Sequence, residues 1–331
     1  MKTYKIIAIT GFTALSLGLS ACQKTEQKDL EKASAEKTEQ VDNISIGFQK
    51  SALNLLVTRE QKLLEKQFPG AQIEWREFPA GPQMLEALAI GAVDVGYVGN
   101  TPPIFAQAAD KDLSYVGYEV YPPNALAVVL PKNSTIKKIE DLKGKRIAVQ
   151  KGSSAHELLA KVLEKAGLSW QDIQPIWLPP ADARAALDKG SIDAWSIWDP
   201  YLSAVELTGK VDVLINGKDF PKTYSYYIAN PKFTTAHPHA VDKVIKSLNE
   251  ADTWILNNQT LAVDLYSSST GLAPDVAKSA IDRRLKPSPI RPFTDENIQS
   301  QQKIADLFFA EKLIPKQINI RDAIQPITPS H

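Results

Sequence analysis

The chain has 331 residues, 44% of them hydrophobic and 23% charged, and its 38 Lys and Arg are balanced by 38 Asp and Glu. A zero net charge provides no basic field of the kind that binds nucleic acid, and beyond the N-terminus no stretch is long and apolar enough to cross a bilayer. An anionic ligand would therefore have to be held by local geometry.

At the N-terminus Lys2 and Lys5 precede an apolar run over residues 6–19 that leads into Leu19-Ser20-Ala21-Cys22. The run is shorter than the roughly 20 residues that span a bilayer, and small residues crowd its end, which is the pattern of an export signal. It is similar to a bacterial lipobox, so residues 1–22 read as a lipoprotein signal peptide and Cys22 as the lipidation site. Cys22 is the only cysteine, which excludes an internal disulfide and leaves acylation as its expected use. Residues 23–43 are rich in Lys, Glu, Gln and Thr and read as a flexible tether, because they cannot bury enough apolar surface to offset the entropy of ordering. About 290 residues follow, enough for two domains or one two-lobed unit with a sizeable core.

An internal repeat organises this remainder. Ala87-Leu88-Ala89-Ile90-Gly91-Ala92-Val93-Asp94-Val95 leads to Gly99-Asn100-Thr101-Pro102, and Ala186-Leu187-Asp188-Lys189-Gly190-Ser191-Ile192-Asp193-Ala194 leads to Trp198-Asp199-Pro200. Each predicts a helix stopped by Gly, a short strand, and a polar loop whose Pro can open the next helix. A second pair precedes these: Ile46-Gly47-Phe48-Gln49-Lys50-Ser51-Ala52 resembles Ile147-Ala148-Val149-Gln150-Lys151-Gly152-Ser153-Ser154-Ala155, both strands turning into helix starts. The order strand, helix, strand, helix, strand, loop, helix thus occurs twice, implying an α/β protein of two doubly wound, parallel-sheet lobes. Two further apolar strands, 125–130 and 224–229, read as the hinge crossings. Helices over 240–256 and 297–309 are then expected to return to the first lobe. On this reading residues 44–130 and 224–331 form lobe I and residues 131–223 lobe II.

Ligands of open α/β sheets sit beyond the carboxyl ends of strands, and all four repeated loops occupy that position. Ser154 and Glu157 have capping-box spacing ahead of an apolar face of Leu158, Leu159, Val162, Leu163 and Ala166. Residues 153–156 (Ser153, Ser154, Ala155, His156) are therefore expected to present hydroxyls and unpaired helix amides to an anion. Gln49 and Ser51 would face them from the other lobe, joined by Asn100 and Thr101. Trp198, Tyr201 and Tyr121 are candidates for an apolar wall, with Trp195 a weaker one, and Asp199 for a helix cap. Arg283 and Arg284 could offer an anion-binding fork at the cleft rim.

Through residues 47–50, 91–103, 152–156, 198–201 and 301–308 the chain resembles the substrate-binding proteins of aliphatic sulfonate, taurine and nitrate ABC importers, most closely the alkanesulfonate members. The resemblance covers nearly everything from Ile44 to Ile320. It implies a periplasmic-binding-protein type II fold, capture of an alkanesulfonate as a sulfur source, delivery to a membrane permease and ATPase pair, and no turnover. It also implies that the sulfonate lies between the Gln49/Ser51 loop, the Asn100/Thr101 loop and the helix start at 153–156, with the tail toward Trp198 and Tyr201. Cys22 adds a lipid anchor on the exported side of the cell envelope, where many sulfonate binders are soluble. A monomer is expected, since importers dock one binder.

Other readings fare less well on the residues. A hydrolase would need a Gly-x-Ser-x-Gly elbow and an acid tied to His156, and neither is present. No cofactor is expected, and His156, His237, His239 and His331 show no metal-ligand spacing. The same fold could instead hold taurine, nitrate or a heterocyclic nutrient, although nitrate would want a tight polar pocket.

Overall fold

The computed structural model describes residues 40–325. The signal peptide, Cys22, most of the tether and His331 lie outside the described residues. The tether's expected end at 43 comes slightly late, because Val41 is already buried against the first core and strand β1 (Asn43–Phe48) starts at once.

Among the described residues ten strands form two five-stranded sheets. The first runs β2 (Gln72–Glu77), β1, β3 (Val95–Gly99), β10 (Tyr224–Ala229), β4 (Ser114–Val120). The second runs β7 (Gln174–Trp177), β6 (Arg146–Val149), β8 (Ala194–Trp198), β5 (Leu126–Pro131), β9 (Val211–Asn216). The topologies match strand for strand. β1 pairs in parallel with β2 and β3 as β6 does with β7 and β8, and β10 lies antiparallel between β3 and β4 as β5 does between β8 and β9.

The repeated residues are those that set this geometry. Helix Gly81–Ala89 ends with the amide of Ala92 donating to the Ala87 carbonyl (2.9 Å), and helix Pro180–Asp188 with Ser191 donating to Ala186 (2.9 Å). In both, the reversal passes through a glycine with φ in the left-handed region, +77° at Gly91 and +68° at Gly190, where a Cβ would be strained. The repeated aspartates then clamp the neighbouring strand: Asp94 accepts from the Ser45 amide (2.8 Å) and Asp193 from the Arg146 amide (2.8 Å). Central strands β8 and β10 are buried along their whole length, as expected where helices cover both faces.

Two expectations need correction. The strand at 224–229 is not a crossing but β10, paired on both sides within the first sheet. Nor is the strand at 125–130 the crossing at the end of lobe I. It is β5, a member of the second sheet, because its run of Leu, Ala and Val can be buried only by pairing with β8 and β9. The chain crosses before it, through residues 121–125, and returns through 217–223. The two crossings run side by side, with the Tyr121 amide donating to the Thr223 carbonyl (3.0 Å). Gly217 lies so close to Pro123 that a Cβ would stand 2.3 Å from its carbonyl oxygen.

After β10 the long helices Ala240–Asn257 and Asp295–Ala310 cover opposite faces of the first sheet. Val244, Leu248, Ala251 and Ile255 pack with Ile44, Ile46, Leu55 and Leu56, while Ile304 and Phe308 pack with Tyr115 and Tyr226.

Candidate ligand-binding cleft

The carboxyl ends of β1, β3, β6 and β8 converge between the sheets around two adjoining, partly open pockets, a smaller and a larger one. Ser51, Tyr97 and Tyr121 wall both, so the two lie side by side in the cleft.

The smaller cavity is lined by Gln49, Ser51, Ser153, Ser154, Tyr121 and Trp198 together with Gly99 and Pro102. Helix Ser154–Lys165 points its N-terminus here, and its cap is Ser153, one residue earlier than the sequence suggests. The Ser153 hydroxyl accepts from the His156 amide (3.4 Å) and donates to the Gln150 carbonyl (2.7 Å). Glu157 therefore does not close a capping box; it pairs with Lys161 along the helix. This shift leaves Ser154 at the first helical position with its hydroxyl facing the other lobe, where a Cβ on Gly99 would stand 1.9 Å from the Ser154 oxygen. The amides of Ser154 and Ala155 belong to the first turn, which lacks intrahelical acceptors. The remainder of Ala155 is buried, and its carbonyl accepts from Ser196 (2.8 Å).

From the first lobe, the Gln49 side chain donates to the Tyr97 carbonyl (3.1 Å) and holds its amide at the cavity wall. The helix expected to open at Ser51-Ala52 runs Leu53–Glu60, with Ala52 as an N-cap that has no side-chain bond; this leaves Ser51 on the cleft wall. Lys50 turns away to the Thr270 carbonyl (2.6 Å).

Other candidates have different roles. Asn100 and Thr101 are buried, bonded to each other (3.0 Å) and, through the Asn100 amide, to Thr223 in the returning crossing (2.6 Å). They fix the loop while their neighbours Gly99 and Pro102 face the cavity. The His156 ring is buried behind the helix start, where Nδ1 accepts from the Gly152 amide (3.2 Å). Trp170 and Trp177 of the second lobe and Phe105 and Phe308 of the first surround it at 4.8–5.7 Å. Burial, and then the charge of Lys151, depress its pKa to about 3, so it is a neutral packing element instead of a ligand donor. Tyr201 supports the Trp198 ring edge-on at 5.8 Å, and Trp195 is in the core.

Arg283 is the clearest correction. Its guanidinium does not await an anion. It reaches Asp199 (3.4 Å) and Glu206 at helix Tyr201–Glu206, on the opposite lobe. Asp199 in turn caps that helix, accepting from the Ser203 amide (2.8 Å) and hydroxyl (2.7 Å). Arg284, not Arg283, lines the larger cavity, beside Tyr97, Tyr121, Glu119, Asn54 and Ser288. Glu119 had a legible signal, as the lone charged residue of strand β4, whose other residues after Ser114 are apolar or aromatic.

The family described as NMT1/THI5 like matches residues 73–262. An aliphatic sulfonates-binding protein, by its name, from Escherichia coli (strain K12) is 44% identical over 281 residues, 85% of this chain and 88% of that protein. Among solved structures, the alkanesulfonate-binding protein SsuA from Xanthomonas axonopodis pv. citri, bound to MOPS, is 41% identical with a TM-score of 0.84, covering 87% of this chain and 99% of that one. The periplasmic aliphatic sulphonate binding protein SsuA from Escherichia coli superposes with a TM-score of 0.79 at 44% identity, over 86% and 97% of the two chains.

Proposed function

The chain belongs to the NMT1/THI5-like family and to its sulfonate-binding branch, and from that membership and the cleft geometry we propose that it is the substrate-binding component of an ABC importer that captures aliphatic sulfonates. The observation that carries this reading is the Ser154 hydroxyl and the first-turn amides of its helix, set across a cavity from Gln49 and Ser51 with Trp198 and Tyr121 as walls. Such a helix start stabilises an anion without net charge, and aromatic walls accept a hydrocarbon tail. The sulfonate would sit at Ser154 and the tail would lie along Tyr121 and Trp198. The protein would bind and release its ligand without chemistry, in keeping with relatives that are named as binding proteins.

Residues 44–120 with 224–325, and residues 126–216, would act as two lobes closing about the crossings at 121–125 and 217–223. Residues 1–22 would direct export and Cys22 would anchor a monomer to the membrane beside its permease and ATPase. Labelled fatty acid should enter the wild-type protein in cells and not a Cys22→Ser variant.

The deciding experiment is calorimetric titration of the purified protein with straight-chain alkanesulfonates, taurine, nitrate, sulfate and a carboxylate of matched length. Selective binding of the alkanesulfonates, tightening with chain length, is the expected result; preference for nitrate or sulfate would overturn the assignment.

A further inference from the structure

The larger cavity is not the apolar slot that a plain alkyl tail would need. Leu53, Ala125, Ala280 and Ile281 supply part of its wall, but its polar face is acidic, with Glu119 and Asp199 both lining it. Asp199 is satisfied by Ser203 and Arg283. Glu119 is not. Its only hydrogen bonds among the described residues both end on Oε2 and both are long, 3.4 Å from Asn54 and 3.5 Å from Ser288. The neighbouring phenols donate elsewhere, Tyr97 to Ser225 (2.9 Å) and Tyr121 to the Ala125 carbonyl (3.3 Å). Arg284, the one cation among the described residues of the wall, is committed to Asp252 (2.7 Å) and to the side-chain amide oxygen of Asn54 (2.6 Å). A carboxylate can take about four donors, and the described residues give this half-buried one two long bonds on a single oxygen.

We propose that the larger cavity is a subsite for a cationic or hydrogen-bond-donating tail group, with Glu119 as its acceptor, so that sulfonates bearing an amine several atoms from the sulfur are preferred over plain alkanesulfonates of equal length. This inference rests on the sulfonate occupying the Ser154 end of the cleft. The shared wall of Ser51, Tyr97 and Tyr121 then leads the tail into the larger cavity. An alkyl tail would strip water from Glu119 and return nothing, whereas an ammonium would supply the missing donors and a compensating charge. The ligand's two charges would each find an opposite local field in a protein of zero net charge.

Acid–base behaviour supports the geometry. Burial, opposed by Arg284 and reinforced by Asp252, pushes the Glu119 pKa up to about 7; the other titratable groups facing it are the phenols of Tyr97, Tyr121 and Tyr227, neutral throughout this range. Glu119 therefore ionises across neutrality, and preference for an amine should grow as pH rises through it.

The test is titration of the full protein with ω-aminoalkanesulfonates of three to six carbons, each against the alkanesulfonate in which a methyl replaces the ammonium. Near pH 8 at least one amine should bind about tenfold tighter than its isostere, less so near pH 6, and Glu119→Gln should abolish the difference while retaining plain alkanesulfonates. Equal or weaker binding of every amine by the wild type, or a preference that survives in Glu119→Gln, overturns the subsite while leaving the sulfonate reading intact. If that variant does not unfold cooperatively, the wild-type pH series decides, and a preference independent of pH overturns the subsite. Failure of every sulfonate to bind overturns both.

Discussion

Ser154 carries the binding hypothesis because the cap one residue before it frees its hydroxyl for the cleft. Ser154→Ala should weaken alkanesulfonate binding by about 1.5–3 kcal/mol, the usual worth of a hydrogen bond to a charged group. Ser153→Ala should instead lower stability by roughly 1 kcal/mol as a lost cap, with a smaller effect on affinity; calorimetry and urea denaturation separate the two, and equal behaviour of the variants would sink the division of roles. His156 contributes at the same scale through its charge. Because its folded pKa is depressed to about 3 by burial, the unfolded chain takes up a proton below about pH 6.5 and the folded chain does not. The stabilisation is complete above that pH and is lost as pH falls, by about 1.4 kcal/mol per unit. Subtracting the urea-derived stability profile of His156→Phe from that of the wild type should reveal this slope between about pH 6.5 and 5, and a flat difference would show that the ring is solvated.

Among the elements, those whose geometry is written into short-range chemistry were legible. The paired stops at Gly91 and Gly190 and the clamps at Asp94 and Asp193 are local signals, so the repeat revealed both sheets and all four cleft loops. The fate of β5 was not legible, because an apolar run of six residues states that a strand is buried and not which sheet buries it. Arg283 and Arg284 were indistinguishable for a similar reason. Adjacent residues at a helix end project differently, and only the packed partners decide that one reaches Asp199 while the other turns to Asn54 and Asp252. The crossings are also a tertiary feature. Gly217 is required there because Pro123 occupies the space of a Cβ, and the obstructing atoms are backbone. Gly217→Ala must therefore push the two crossings apart, at a cost of about 1–3 kcal/mol. A lowered melting temperature with and without ligand is the expected readout, and an unchanged one would mean that the crossings are loosely packed.

At the scale of the whole molecule, the two lobes are joined across the cleft by contacts between their own side chains. Arg283 on helix Pro274–Arg283 joins Asp199 and Glu206 of the second lobe, and beside it the Ser279 and Ser203 hydroxyls lie within hydrogen-bond distance (3.1 Å), with Ser203 accepting because its own proton goes to Asp199. On the far side of the cleft the His156 ring is held between aromatic residues of both lobes. The Arg283 guanidinium is 19% exposed and the Asp199 carboxylate 9%, so the pair is screened less than a surface ion pair. If these contacts bias an open–closed equilibrium, removing one lowers the population competent to hold ligand, and apparent affinity falls by the same factor. Arg283→Ala should then enlarge the radius of gyration of the ligand-free protein in small-angle scattering and weaken sulfonate binding about fivefold, while saturating ligand restores the wild-type radius. Ser154→Ala should weaken binding with no change in the ligand-free radius, because against the other lobe its hydroxyl meets only the backbone of Gly99, with no ion pair or hydrogen bond to lose. A wild-type radius in ligand-free Arg283→Ala would show that the ion pairs persist in the open form, placing them on the hinge side of the molecule and leaving closure to the ligand alone.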